Sequence, residues 1–180
     1  MSGSIGSILR LTLFGRSHGP SVGMTLEGVP AGKTVSMDEL QAFLKRRAPS
    51  RSPLSTPRRE ADVLRFLSGL SGGVTDGAPI TAVIDNTDVR PEDYKNLSSV
   101  PRPGHADYTA YVKYGRIESG GGQFSGRMTA ALCVAGGICL QLLEQEGIRI
   151  ISRIASVGAA EDCGELLSST AQKPFPVVND

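Results

Sequence analysis

Leu9, Leu11 and Leu13 alternate with Arg10 and Thr12, and Val22, Met24 and Leu26 alternate with Gly23, Thr25 and Glu27. A period of two puts every second side chain on one face, so both stretches are predicted as half-buried strands, with a polar loop between them. After Ser36 the period changes. Met37, Leu40, Phe43 and Leu44 recur at helical spacing, Ser36 and Glu39 form a capping pair, and Lys45, Arg46 and Arg47 close the segment at the negative end of the helix dipole. Val63 to Leu67 and Ile80 to Ile84 read as further strands on either side of a Gly72-Gly73 turn. Ser125 to Glu146 reads as a buried helix stopped by Gly147, and Ile148 to Ile154 as a last strand. Between these elements lie a Pro/Ser/Arg-rich loop from Ala48 to Arg59 and an irregular polar stretch from Asn86 to Arg102. Strands and helices do not alternate regularly, which predicts a layered α+β fold in place of a doubly wound one, with residues 1–180 as part of a single domain.

Composition narrows the function classes. Lys and Arg number 19 against 18 Asp and Glu, so no net charge draws the chain toward nucleic acid or a membrane, and any basic site has to be local. Twenty-two glycines point to backbone brought close to other groups. The cysteines, Cys133, Cys139 and Cys163, are odd in number and lack metal-ligand spacing, which fits a reduced, cytoplasmic setting. Met1 to Ser7 has no secretory layout, and the longest apolar stretch, Ala130 to Leu140, is too short to cross a bilayer, so the expectation is a soluble protein.

Candidate chemistry concentrates in glycine-rich segments. The chain's two histidines sit in Gly15-Arg16-Ser17-His18-Gly19 and Arg102-Pro103-Gly104-His105-Ala106-Asp107, turn-like settings where an imidazole moves a proton near neutral pH beside cationic neighbours. Asp107, two positions after His105, either orients that ring or caps the segment that follows. Gly120-Gly121-Gly122 ahead of a helix is either a cradle for an anion at the helix start or a plain turn. Arg46, Arg47, Arg51, Arg58 and Arg59 are either a clamp for phosphate or carboxylate or a solvated surface, and no aromatics interleave with them as nucleic-acid binding would ask. Neither histidine has a zinc-ligand partner at the usual spacing.

At these same residues the chain resembles the chorismate synthase family. Matching stretches run nearly end to end: Phe14-Gly15 to His18-Gly19, Gly28 to Gly32, Thr56 to Glu60, Leu67 to Gly69, Gly77 to Ile80, Asn86-Thr87-Asp88, Arg102 to Tyr108, and Lys113-Tyr114-Gly115 into the glycine run. The resemblance covers the family's amino-terminal half. It implies a layered β-α-β sandwich, a homotetramer, and an anti-1,4-elimination of phosphate from 5-enolpyruvylshikimate 3-phosphate to give chorismate. Reduced FMN (FMNH2) is the implied cofactor, with NADPH a candidate reductant, and no metal, nucleic acid or membrane is implied. His18 matches the histidine that protonates or steadies the departing phosphate, and His105 the one that protonates the reduced flavin. Arg47 matches an arginine facing substrate and flavin. Gln123, Phe124 and Ser125 fall in a flavin-binding segment, and Arg58 and Arg127 among the substrate-binding arginines.

Three positions depart from the family pattern. Arg16 stands where a glutamate is usual, Pro53 where an arginine is, and Gln123 to Met128 replaces a segment with one more arginine and a glutamate. The reading is therefore a carbon–oxygen lyase of aromatic amino-acid biosynthesis. The alternative is a truncated relic that keeps the fold and weak anion or flavin binding. The isolated 180-residue chain is expected to be inactive or poorly folded, because half of a shared site leaves surface unpaired.

Overall fold

A computed structural model of the chain describes residues 3–48, 60–89, 100–163, 169–170, 173 and 177. They fall into two compact units, Met1–Leu142 and Leu143–Asp180.

The first unit is built on an antiparallel sheet. Strands β1 (Gly3–Ile5), β2 (Arg10–Gly15), β3 (Ser21–Glu27), β4 (Leu64–Ser68) and, after the small hairpin β5 (Leu70–Ser71) and β6 (Val74–Thr75), β7 (Ile80–Asp85) are joined in the order β1-β2-β3-β7-β4. Leu11 pairs with Leu26, Leu13 with Met24, Met24 with Ala82 and Phe66 with Ala82, so the alternating residues line up across four strands on one face. Val22, Met24, Leu26, Ile80, Ala82 and Ile84 of that face are all at most 1% exposed. Helix α1 (Met37–Arg47) brings Leu40 and Leu44 to the same core, and α3 (Thr129–Gln145) brings Ala130, Ala131, Val134, Ala135 and Ile138. The result is an α+β arrangement of one sheet and a helix layer. Fully burying each Val, Leu, Ile or Met side chain of this layer contributes about 1.5–3 kcal/mol, and each alanine methyl less.

Local signals fix the helices. Ser36 Oγ accepts from Glu39 N at 3.3 Å and caps α1, while Gln141 of α3 reaches back to bind both Ser36 N and Ser36 O. Gly137 lets the two helices close up: a methyl group there would lie 2.5 Å from Leu40 Cδ1. The helix predicted from Ser125 begins with a 3-10 turn, Gly126–Met128, before α3 proper, and Gly147 ends it with Ile148 N bonded to Leu143 O. The helical stretch Gly126–Gln145 is 20 residues long and apolar enough to cross a membrane by length and composition, longer than the apolar run read from sequence; 44% of its most apolar 18-residue window is buried inside the protein, where residues of α3 join the core.

Helix α2 (Asp107–Tyr114), ended by left-handed Gly115, was not expected from the sequence. In the second unit the predicted strand Ile148 to Ile154 is a correction. Those residues form no ladder among the described residues, and the short hairpin β8 (Ser156–Val157) with β9 (Ala160–Glu161) follows them. Alternating isoleucines make a strand only when another strand accepts their hydrogen bonds, and Ile148 and Ile150 are exposed.

Candidate active site

The loop between β2 and β3 turns at Arg16 to Gly19, with Gly19 N donating to Arg16 O at 3.0 Å. It packs on the glycine run. Ser17, 1% exposed, has its Oγ 3.3 and 3.4 Å from the carbonyl oxygens of Ser119 and Gly120, and its N donates to Gly122 O. Gly120, Gly121 and Gly122 all have positive φ (62°, 87° and 54°) within a 3-10 segment, Ser119–Phe124. A methyl group on Gly120 would lie 2.5 Å from His18 Cδ2 and 2.6 Å from His18 Nε2; one on Gly121 would lie 2.7 Å from His105 Cε1 and 2.9 Å from His105 Nε2. The two imidazoles thus rest on consecutive glycines, whose Cα atoms are about 3.8 Å apart. Glycine is needed here twice over, for the backbone angle and for the space the rings take. The run is a kinked turn ahead of α3 that also serves as a seat for the two imidazoles, a use not read from the sequence.

His105 is held from its other side. Its Nδ1 is 2.7 Å from Asp107 Oδ1, and Asp107, 1% exposed, also accepts from Arg102 Nε at 2.7 Å, Arg102 Nη2 at 3.0 Å and Arg102 N at 3.1 Å. The Arg102 side-chain hydrogen bond, with the backbone bond and the nearby positive charge, holds the Asp107 carboxyl down at about 2, against the desolvation of its burial. A carboxylate so fixed orients the ring through Nδ1–H, and Arg102 Nη2 lies 3.3 Å from both ring nitrogens. Asp107 therefore orients His105 and does not cap α2: it is the first residue of that helix, Ala106 stands at the N-cap position, and its carboxylate is turned to Arg102 and His105.

Beside the glycines opens a cavity of about 590 Å³, lined by Phe14, Arg16, Asp107, Tyr114, Glu118 and Phe124 among others. Gln123 and Phe124 belong to its wall, Phe124 lying against Tyr114 with ring centroids 6.2 Å apart. Ser125 serves the backbone instead, since its Oγ accepts from Arg127 N and caps the 3-10 turn into α3. At the cavity Glu118 is shared between Arg16 Nη1 at 2.9 Å and Arg116 Nε at 2.8 Å, so the cation at position 16 meets a carboxylate 102 residues away.

Of the predicted arginines, Arg47 and Arg127 do not line that cavity and meet on Asp62. Arg47 Nη1 is 2.6 Å from Asp62 Oδ2, and Arg127 pairs with Asp62 Oδ1, with Glu60 Oε2 at 3.1 Å and with Asn86 Oδ1 at 2.9 Å. The Arg127 side chain is 2% exposed and that of Arg47 21%, so Arg127 is committed to this internal cluster and Arg47 keeps a solvent-facing part. Arg58, with Arg51, Pro53 and Arg59, lies outside the described residues. Glu60, Asp62, Asn86, Arg102 and Glu118 were not singled out as site residues. Two buried acids beside an Arg-rich loop, in Arg58-Arg59-Glu60-Ala61-Asp62, were the available signal, since a buried carboxylate calls for a cation.

The comparisons with known proteins agree with one another. The family profile described as chorismate synthase matches residues 9–180. The chorismate synthase of Lancefieldella parvula is 47% identical over 165 residues, 90% of this chain and 43% of the relative. That of Porphyromonas gingivalis is 49% identical over 156 residues, 86% of this chain and 42% of the relative. A crystal structure titled as chorismate synthase superimposes with a TM-score of 0.66 at 28% identity, covering 94% of this chain and 50% of the solved one. The chain spans less than half the length of these two relatives.

Proposed function

The chain belongs to the chorismate synthase family of lyases, and from that premise we propose that it contributes the amino-terminal part of a site that eliminates phosphate from 5-enolpyruvylshikimate 3-phosphate to give chorismate. The observation that carries this reading is the seating of His18 and His105 on Gly120 and Gly121. An anti-1,4-elimination breaks a carbon–oxygen bond and a carbon–hydrogen bond at separated carbons. It is therefore helped by two fixed proton carriers; the two imidazoles sit on adjacent glycines beside the cavity, which Gly121 and Asp107 line and the rings themselves do not.

In this reading His18 holds a proton toward the departing phosphate oxygen, so that the leaving group gains no full extra charge. His105, aligned by Asp107, would hold a proton toward the reduced flavin. Reduced FMN is a flat ring system with a phosphate tail, and a cavity of about 590 Å³ walled by Phe14, Tyr114 and Phe124 fits its ring in size and character. When bound, reduced flavin lends electron density to the substrate and recovers it, with no net redox change. Phe14, Tyr114, Gln123 and Phe124 would hold the ring and exclude water, and Arg16 and Arg116 supply cations at the wall. Arg47 and Arg58 serve the substrate's anionic groups, and Arg127 fixes the cluster from within. A homotetramer in the cytoplasm completes the reading.

The test is anaerobic turnover of the substrate with reduced FMN by this chain fused to the carboxy-terminal part of a relative, following chorismate by absorbance. His18→Ala and His105→Ala each lower kcat by about 10²-fold or more, the usual contribution of a positioned acid or base. Full activity in either variant would overturn its proton role.

A further inference from the structure

We infer that Asn86 is a positioning residue for His18, and that its carboxamide is the joint between the buried ion cluster and the turn that carries that imidazole. The inference rests on the proton role given to His18, and its first test does not depend on turnover.

Asn86 follows β7, whose last residue, Asp85, pairs with Ser21. Asn86 N donates to Pro20 O at 2.9 Å, one further step along the ladder. Pro20 has no N–H to return, so backbone pairing stops there and the side chain takes over. Asn86 Nδ2 donates to Gly19 O at 2.8 Å and to Arg16 O at 3.0 Å, spanning the turn on both sides of His18. Its Oδ1 accepts from Arg127 Nε at 2.9 Å.

The orientation of this amide is decided by its partners. Arg127 offers only donors and the two carbonyls only acceptors, so turning the amide over would set donor against donor and acceptor against acceptor on every contact. No other side chain of this size supplies two hydrogens on one branch and an acceptor on the other. Asp has the acceptor and lacks the hydrogens; Ala lacks both. Arg127 in turn is fixed by Asp62 and Glu60, and Glu60 Oε1 also accepts from Thr87 N at 3.2 Å and Asp88 N at 3.4 Å. The segment after β7 is therefore held on one side by buried carboxylates and on the other grips the turn at 16–19. That turn presses His18 against Gly120.

The two histidines make the test direct, because each variant carries its own reference signal. Imidazole resonances are recorded by 1H–15N correlation for the parent chain, Asn86→Asp, Asn86→Ala and the neighbouring control Thr87→Ala, with circular dichroism and thermal melting alongside. The His18 resonances shift or broaden in both Asn86 variants, while those of His105 and all those of Thr87→Ala stay in place. In the active enzyme, Asn86→Asp lowers kcat by about tenfold with KM changed less than twofold, as expected when a proton carrier is misplaced and binding is kept. His18 resonances unmoved in Asn86→Asp would overturn the inference. So would equal movement of both histidines, or loss of cooperative melting in both Asn86 variants, since each makes the effect global. Unchanged turnover with displaced His18 resonances would sink the proton role of His18 and leave the positioning intact.

Discussion

Gly120 and Gly121 are where single atoms decide the site. Gly120→Ala and Gly121→Ala combine a positive φ with a methyl group less than 3 Å from an imidazole, so each is expected to cost about 1–3 kcal/mol, read as a lower urea midpoint. Gly126→Ala, with open space around it, leaves the midpoint within about 0.5 kcal/mol of the parent. Asp107 yields a second prediction. Its folded carboxyl sits near 2, below the ordinary 3.8, so the stability it contributes is present above about pH 4 and is lost as pH falls toward 2. Asp107→Asn removes that part of the acid transition and lowers stability at pH 7 by about 2 kcal/mol, because Arg102 is left without its carboxylate. Sequence made the His105–Asp107 relation readable, as both residues share one short turn. The reason for the glycines was hidden, because it lies in rings that approach from residues 18 and 105.

Strands β3 and β7 and helix α1 were legible because each buries one face, which imposes its period on the residues, and β2 because Leu11 and Leu13 pack half-buried against the same core. Helix α2 was not. Tyr108, Tyr111 and Val112 are more than half exposed, so its apolar residues do not mark a buried stripe. The strand read at Ile148 to Ile154 failed for the converse reason: the alternation is present and the pairing strand is absent among the described residues. Helix α3 offers a test at this scale. Gly136 has open space where a side chain would go, and Gly136→Ala should raise stability by about 0.5–1 kcal/mol through helix propensity. Gly137→Ala meets Leu40 and Phe43 of α1 and should lose about 1–2 kcal/mol despite the same gain. Equal melting temperatures for the two variants would show that the α1–α3 contact yields freely.

For the whole molecule, less than half the length of the curated relatives is represented, so the catalytic reading has to be tested on a completed protein. Fusing this chain to the carboxy-terminal part of the Lancefieldella parvula relative, to which it is 47% identical, should give turnover that requires reduced flavin. The 180-residue chain alone should stay below about 1% of that rate if the carboxy-terminal part of the relatives contributes groups that position the substrate. Activity of the short chain equal to the fusion would mean that the described cavity suffices. The sheet, the core and both histidines could be read from local patterns. The ion cluster and the Arg16–Glu118 pair could not, since their members meet only after distant strands have closed.

A common bench for two proton carriers has a mechanical meaning. Each ring packs on one of two neighbouring links, so a shift of the 120–121 peptide disturbs the packing of both imidazoles at once. One extra glycine inserted between those links would separate the two seats and loosen both rings together.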